Sequence, residues 1–373
     1  MSVERSHSQS FILNSQSLST PAFLVHRATV QRNCDRMREK ALSSGVAFRP
    51  HVKTHKVVEI GRMQHGGAIG PITVSTLAEA EWFAREGFRD ITYAMPIAPE
   101  KLGRAAELAS RIDRLNLLVD SEEAFRALEE HECVFDVFLK VDCGYHRAGV
   151  DPDSPDSVSL ARRMAQSEKV HFQGLLTHAG HSYNVRSQEE VRRVAAEESS
   201  ALTRFRALLG VGDITRSIGS TPTCSIVDRF DDCDEVRPGN YVFYDAFQAA
   251  VGSCSLEDVA VSVLTTVVGS YPERNTLICD AGALAMSKDS SPEHIHPAFG
   301  YGLVCDAGLR PLPMKLIALS QEHGKIATEM HVPVGTRLRI VPNHSCLTAA
   351  MFEVYHVVDE GRVVDQWKPA RGW

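Results

Sequence analysis

Between about residues 45 and 245 the chain alternates short apolar or β-branched runs with stretches of helical composition. Eight runs stand out: Val46–Lys53, Ile72–Thr76, Ile91–Ile97, Leu115–Asp120, Val134–Asp142, Phe172–Gly180, Ile214–Ser220 and Glu235–Tyr244. Runs of this length bounded by polar and Gly/Pro positions read as strands. The stretches between them, among them Leu77–Glu86, Ser121–Glu130, Asp156–Ser167 and Ser187–Leu209, read as helices. Their starts carry suitable chemistry: Asp120-Ser121-Glu122-Glu123 places a hydroxyl cap before acids in the first turn. Eight strand–helix units predict an α/β fold, a (β/α)8 TIM barrel. A doubly wound open sheet shares the alternation, and spacing alone leaves it open.

Beyond residue 255 the period changes. Val259–Tyr271, Thr276–Asp280, Met314–Ser320, Arg337–Val341 and Phe352–Val358 are β-rich, separated by Gly and Pro, with little helical periodicity. The chain is therefore expected to divide into a barrel over 20–250 and an all-β domain over 251–373. Residues 1–19 would join the second through a strand-like stretch at Ser10–Leu13.

Composition narrows the function. Of 373 residues, 43% are hydrophobic and 23% charged, which suits a packed globular protein rather than a disordered one. A formal charge of −7 gives no basic footprint for nucleic acid or an anionic membrane. No apolar run approaches the ~20 residues of a membrane span. The polar first twenty residues lack the apolar block of a secretory signal, which points to the cytoplasm. Nine dispersed cysteines without a CxxC do not form a disulfide pattern.

In a barrel the loops after the strands share one face, so polar strand ends converge there. Arg49-Pro50-His51-Val52-Lys53-Thr54-His55-Lys56 ends the first strand, Asp142-Cys143-Gly144-Tyr145-His146-Arg147 the fifth and Thr177-His178-Ala179-Gly180-His181-Ser182-Tyr183 the sixth. Gly219-Ser220-Thr221 ends the seventh, and Arg237-Pro238-Gly239-Asn240 lies in the eighth. The last two groups offer backbone and hydroxyl donors where barrels commonly bind phosphate, although an N-cap and a strand-kinking glycine would look the same. Lys53, flanked by His51 and His55, can be held near cations and away from bulk water. Both effects lower an amine's pKa and favour Schiff-base formation. A solvated basic loop is the plainer reading. Opposite a phosphate cup, the lysine suggests an aldehyde cofactor that carries a phosphate.

In the β-domain, His344 and Cys346 stand two apart. On an extended strand they would share a face, and imidazole with thiolate suits zinc. Two ligands leave room for substrate or water, as in a catalytic site.

The ordered motifs RPHVKTHK, VDCGYHRAG, HAGHSY, GSTPT, RPGNYVFYD and PNHSC resemble the D-serine dehydratase / D-threonine aldolase family, pyridoxal-phosphate enzymes of the alanine-racemase-like fold type. The resemblance runs from about residue 20 to 360 and implies a barrel, a β-domain and a homodimer. It implies that Lys53 carries pyridoxal 5′-phosphate, that Gly219, Ser220, Thr221, Gly239 and Asn240 hold its phosphate, and that Tyr183 and Gln173 lie beside it. Arg147 and Arg237 align with arginines that face the cofactor hydroxyl and pyridine nitrogen in the racemase relatives. His344 and Cys346 match the zinc (Zn2+) pair of the dehydratases; aldolase relatives more often show His and Asp, so Cys346 favours elimination.

The expected activity is thus conversion of a D-β-hydroxy amino acid such as D-serine to a 2-keto acid and ammonia, with Lys53 as the catalytic amine. Aldolase chemistry, with His178 or His181 as base, and D-threo-3-hydroxyaspartate dehydration are the alternatives. A non-catalytic cofactor carrier is a further reading, but such barrels lack the β-domain.

Overall fold

The computed structural model describes residues 18–373, so the stretch Ser10–Leu13 lies outside the described residues. The chain forms two compact units. One comprises Val30–Tyr244, Gln248–Asp258 and Pro369–Trp373; the other comprises the described residues up to Thr29, Asp245–Phe247 and Val259–Lys368.

Strand β1 (Ala22–His26) and helix α1 (Arg27–Ser44) lead into the alternating region. There follow β2 (Ala47–Phe48), α2 (Val58–Gln64), β3 (Ile72–Val74), α3 (Leu77–Arg85), β4 (Asp90–Pro96) and α4 (Leu102–Ala109). Next come β5 (Arg114–Val119), α5 (Glu122–Glu130), β6 (Phe135–Lys140), α6 (Pro155–Gln166), β7 (Val170–Leu176) and α7 (Gln188–Leu209). The series ends with β8 (Thr215–Ile218), α8 (Thr221–Ile226) and β9 (Glu235–Val236).

Strands β2 to β9 make one eight-stranded parallel sheet in the order β2-β9-β8-β7-β6-β5-β4-β3. A parallel bridge between His51 and Thr73 joins its two ends and closes the barrel. Leu118, Phe138 and Leu176 form a buried cluster of side chains from β5, β6 and β7. The helix starts follow the capping rule. Thr76 accepts from the Glu79 amide at 3.0 Å, Ser121 from Ala124 at 3.3 Å and Ser187 from Glu190 at 3.2 Å, each cap worth about 1 kcal/mol.

Two expected strands are much shorter than their apolar runs. β2 and β9 pair for only two residues each, because Pro50 and Pro238 follow closely and supply no amide to a ladder. The short strands are tied by charge instead. Buried Arg49 donates from Nε to Glu235 at 2.6 Å and from Nη1 to Asp90 at 2.5 Å, linking β2, β9 and β4. Glu235 also accepts from Ser217 of β8 at 2.6 Å.

The second unit holds β10 (Val261–Tyr271), β11 (Thr276–Cys279), β12 (Gly302–Cys305), β13 (Pro311–Leu319), β14 (Gly324–Ala327), β15 (Arg337–Pro342), β16 (Tyr355–Asp359) and β17 (Arg362–Trp367). Six of these close into an antiparallel ring, β10-β11-β14-β13-β12-β15, and β1, β16 and β17 extend from β10. β1 pairs antiparallel with β10 and parallel with β16. Ala22, Leu24, Leu264 and Val358 form a buried cluster there, with Leu18 and Val363 packed against it. The strand expected from Phe352 begins at Tyr355, because Phe352 ends a helical turn and its amide bonds to the Ala349 carbonyl. Among the described residues no helix is long and apolar enough to cross a membrane.

Candidate active site

Lys53 lies in a single 3-10 turn, Val52–Thr54, directly after β2. His51 caps this turn, its Nδ1 accepting from the Lys53 amide at 3.4 Å, and its Nε2 lies 3.5 Å from the Ser75 hydroxyl. Burial, followed by the charges of Lys53, Arg237 and His178, holds His51 well below the ordinary histidine value. Burial alone takes His55 down to about 3. Both rings are therefore neutral, and the histidines flanking the lysine are not the cations that their spacing suggested.

The Lys53 turn packs directly on the eighth-strand loop. The His51 amide donates to the Pro238 carbonyl at 2.9 Å. A Cβ on Gly239 would meet the His51 carbonyl oxygen at 3.0 Å, so a side chain there would wedge the two loops apart. Gly219, at φ +137°, has the same character: a Cβ would stand 2.8 Å from the Arg237 nitrogen. Ser220 caps α8 in a reciprocal box with Thr223. Thr221 Oγ1 accepts from the Tyr241 amide at 3.1 Å, and the turn Asn240–Val242 follows at once. Gly219, Ser220, Thr221, Gly239 and Asn240 thus share one cup. Its two glycines let the three loops pack this closely, since a Cβ at either would meet Arg237 or His51.

The Gly219 amide is not a donor to this cup. It bonds to Glu198 Oε1 at 3.1 Å, and the Ala179 amide bonds to the same oxygen at 3.0 Å. Glu198 escaped the sequence reading, although a signal exists. It falls in phase with the buried stripe of α7 (Val191, Val194, Ala201, Leu202, Phe205), where a carboxylate needs an explanation.

Arg237 is buried, its Nε bonded to Ser217 Oγ at 2.6 Å and its Nη2 to the Thr177 carbonyl. His178 donates from Nδ1 to the Gly219 carbonyl at 2.8 Å, and burial with the Lys53 charge keeps it far below the usual value. That bond fixes the tautomer and leaves Nε2 as a lone pair. His181 stacks on Tyr145 at 6.2 Å between centroids, and Arg147 covers the same ring at 5.0 Å. Tyr183 ends the neighbouring turn, Gly180–Tyr183. Lys140, at the end of β6, is buried; burial first, then Arg237 and Arg147, bring its amine down to about 8.

Gln173 does not join this group. It bonds to Asp136 Oδ1 at 2.7 Å near the start of β6 and β7, toward the opposite end of the strands.

In the other unit, His344 and Cys346 do not occupy a strand. β15 ends at Pro342, His344 is the extended residue that caps a helix over Ser345–Ala350, and Cys346 sits in its first turn. The two side chains still meet through a hydrogen bond. Asp289, which nothing in the sequence singled out, lies 2.9 Å from His344 Nδ1. Burial opposes charge on His344, yet Asp289, then Cys346, raise it well above the usual value, while Asp289 itself is held down to about 2. A carboxylate on Nδ1 leaves Nε2 for a metal, the usual support of a histidine ligand. Imidazole plus thiolate fits a zinc-type ion, and among the described residues no third protein ligand joins them.

Comparison with known proteins follows the same division. Residues 25–246 match the alanine racemase N-terminal domain, and residues 260–358 match the putative serine dehydratase domain. D-serine dehydratase of Dictyostelium discoideum is 40% identical over 95% of this chain and 98% of its own. The structure of D-threo-3-hydroxyaspartate dehydratase from Delftia sp. HT23 superposes with a TM-score of 0.90 at 38% identity, covering 96% of this chain and 99% of that one. Alanine variants of that enzyme at a histidine and at a cysteine two positions later are also known, the second in a metal-free form. D-threonine aldolase from Filomicrobium marinum gives 0.81 at 26% identity over 95% of each chain.

The fold and site define an enzyme of the alanine-racemase-like class. Within that class, the chain belongs to the D-serine dehydratase family, and it is a pyridoxal-phosphate-dependent lyase.

Proposed function

We propose that the enzyme removes water from a D-β-hydroxy amino acid, D-serine foremost, and yields a 2-keto acid and ammonia. The observation that carries this reading is the packing of the Lys53 turn against the Gly219–Thr221 and Gly239–Asn240 cup. It supports reading the Lys53 amine and the proposed phosphate cup as parts of one site.

Lys53 is the residue that would hold the cofactor aldehyde, and its amine, when free, would be the base for the Cα proton. Ser220, Thr221, Gly239 and Asn240 would hold the phosphate, and Gly219 contributes shape. Tyr183, Arg147 and Arg237 would surround the cofactor. Neutral His178, its Nδ1 committed to the Gly219 carbonyl, accepts but cannot release a proton at Nε2. Pyridoxal phosphate supplies an electron sink for the charge left at Cα. His344 and Cys346 would hold zinc, whose Lewis acidity makes a hydroxyl a better leaving group. The paired histidine and cysteine variants of the Delftia dehydratase support that assignment. The same reading makes the protein a cytoplasmic homodimer.

The 38% identity to D-threo-3-hydroxyaspartate dehydratase favours a second substrate, one with a β-carboxylate. An assay of keto acid, ammonia, glycine and aldehyde released from D-serine, D-threonine and D-threo-3-hydroxyaspartate tests both readings. Pyruvate from D-serine is expected. Glycine and aldehyde as main products would overturn the dehydratase reading.

A further inference from the structure

We propose that Glu198 is a positioning residue for the cofactor phosphate, standing as a neutral acid at the inner end of a hydroxyl chain, Thr223–Ser220–Ser182, and turning that chain to donate outward into the cup. The inference rests on reading the cup as the phosphate site.

The argument is a count of hydrogens. Glu198 Oε1 accepts two amides, from Ala179 and Gly219, and Oε2 lies 3.4 Å from Thr223 Oγ1. Thr223 Oγ1 lies 2.9 Å from Ser220 Oγ, which lies 2.9 Å from Ser182 Oγ. Each hydroxyl owns one hydrogen. If Glu198 were a carboxylate, Thr223 would donate to it, Ser220 to Thr223 and Ser182 to Ser220. All three hydrogens would point inward, and this chain would offer a phosphate only lone pairs. Thr223 Oγ1 also lies 3.2 Å from the Ser220 carbonyl, a further acceptor competing for the same hydrogens.

A carboxylic acid resolves the count. Its carbonyl oxygen takes the two amides, its hydroxyl donates to Thr223, and the chain runs through Ser220 to Ser182, whose hydrogen is then available to donate beyond the chain. The surroundings agree. Glu198 is fully buried, and burial raises its carboxyl above the ordinary value. The titratable groups around it are Arg237, just after β9, and Cys143, Cys224 and Cys233. Burial pushes the Cys143 and Cys233 thiols up to about 12 and Cys224 higher still, so all three are neutral. Arg237 draws Glu198 toward ionisation, but its guanidinium is bonded to Ser217 and the Thr177 carbonyl, and Glu235 is its strongest acidic influence.

Glutamine copies the neutral acid: its oxygen accepts the amides and its NH2 donates to Thr223. The test compares wild type, Glu198→Gln and Glu198→Ala by infrared difference spectroscopy of the holoenzyme and by binding of pyridoxal phosphate and of pyridoxal. A protonated-carboxyl band that shifts in D2O is expected in wild type and absent in E198Q. E198Q should bind pyridoxal phosphate within about threefold of wild type and E198A about tenfold or more weakly, with pyridoxal affinity equal in all three. Persistence of the band in E198Q, or a loss in E198Q as large as in E198A, overturns the proposal. If E198A does not fold, the band and the E198Q affinity decide alone. Should wild type fail to prefer pyridoxal phosphate over pyridoxal, the phosphate-cup reading itself fails and takes this proposal with it.

Discussion

Replacing Gly219 by alanine adds one methyl group at the point where the barrel wall and the cup meet. At φ +137° an L-residue is strained, at about 1–3 kcal/mol. The added Cβ would lie 2.8 Å from the Arg237 nitrogen and 3.2 Å from its carbonyl carbon. These are backbone atoms, so no flexible side chain can yield. The Arg237 amide donates to the Ile218 carbonyl at 2.9 Å, and relief of the clash must loosen that β8–β9 link. Overpacking of this kind costs about 1–3 kcal/mol. Together the two effects predict a loss of about 2–6 kcal/mol, a large part of the ~5–15 kcal/mol that holds a domain folded. Denaturant unfolding of G219A beside wild type measures the loss, and cofactor titration measures the displaced cup. Gly103 in α4 is the control: nothing lies within 4 Å of its Cβ position, so G103A should gain about 0.4–1 kcal/mol. Wild-type stability together with undiminished pyridoxal phosphate affinity in G219A would refute the reasoning.

Arg49→Met leaves Glu235 and Asp90 facing a thioether and should destabilise by about 3–5 kcal/mol, read by urea unfolding. Asp289→Asn should weaken zinc binding by about tenfold in competition with a chromophoric chelator; equal affinity would dismiss its support of His344. Lys140 has a folded pKa of about 8, below its ordinary value, so between pH 8 and ~10.5 the unfolded chain binds more protons and this residue's contribution to stability rises with pH. Lys140→Met should therefore stabilise by up to about 3 kcal/mol at pH 7, an advantage that shrinks as pH climbs to ~10.5. A gain independent of pH would exclude titration as its source.

The barrel was readable because its strands are buried on both faces and separated by helices with hydroxyl caps, so period and caps agree. Where they fail, chemistry outside the pattern intervenes. β2 and β9 shrink to two residues at prolines, and Arg49 replaces the missing ladder bonds with ion pairs that no periodicity reports. β12 and β14 span four residues each, too short to show an alternation, and pairing with β13 makes them visible as strands. Lys53 and the cup were legible as polar strand ends. Gln173 was not separable from them by motif, because only the folded contact shows that its side chain bonds to Asp136 instead.

The side chains of His344 and Cys346 come together by a geometry other than the expected strand. Alternation on a strand would bring residues two apart to one face, but the strand ends before His344. The two side chains meet because a helix starts between them, and that start is set from elsewhere. Asp245 accepts the Ser345 amide at 3.0 Å and its hydroxyl at 3.3 Å, pinning the first turn. Asp289, 55 positions from His344, turns the imidazole by holding Nδ1. The H-x-C spacing therefore does not bring the two side chains together by itself. The same two residues without Asp245 and Asp289 would lack both the helix anchor and the ring orientation, and a search for this site should require the two carboxylates along with the pair.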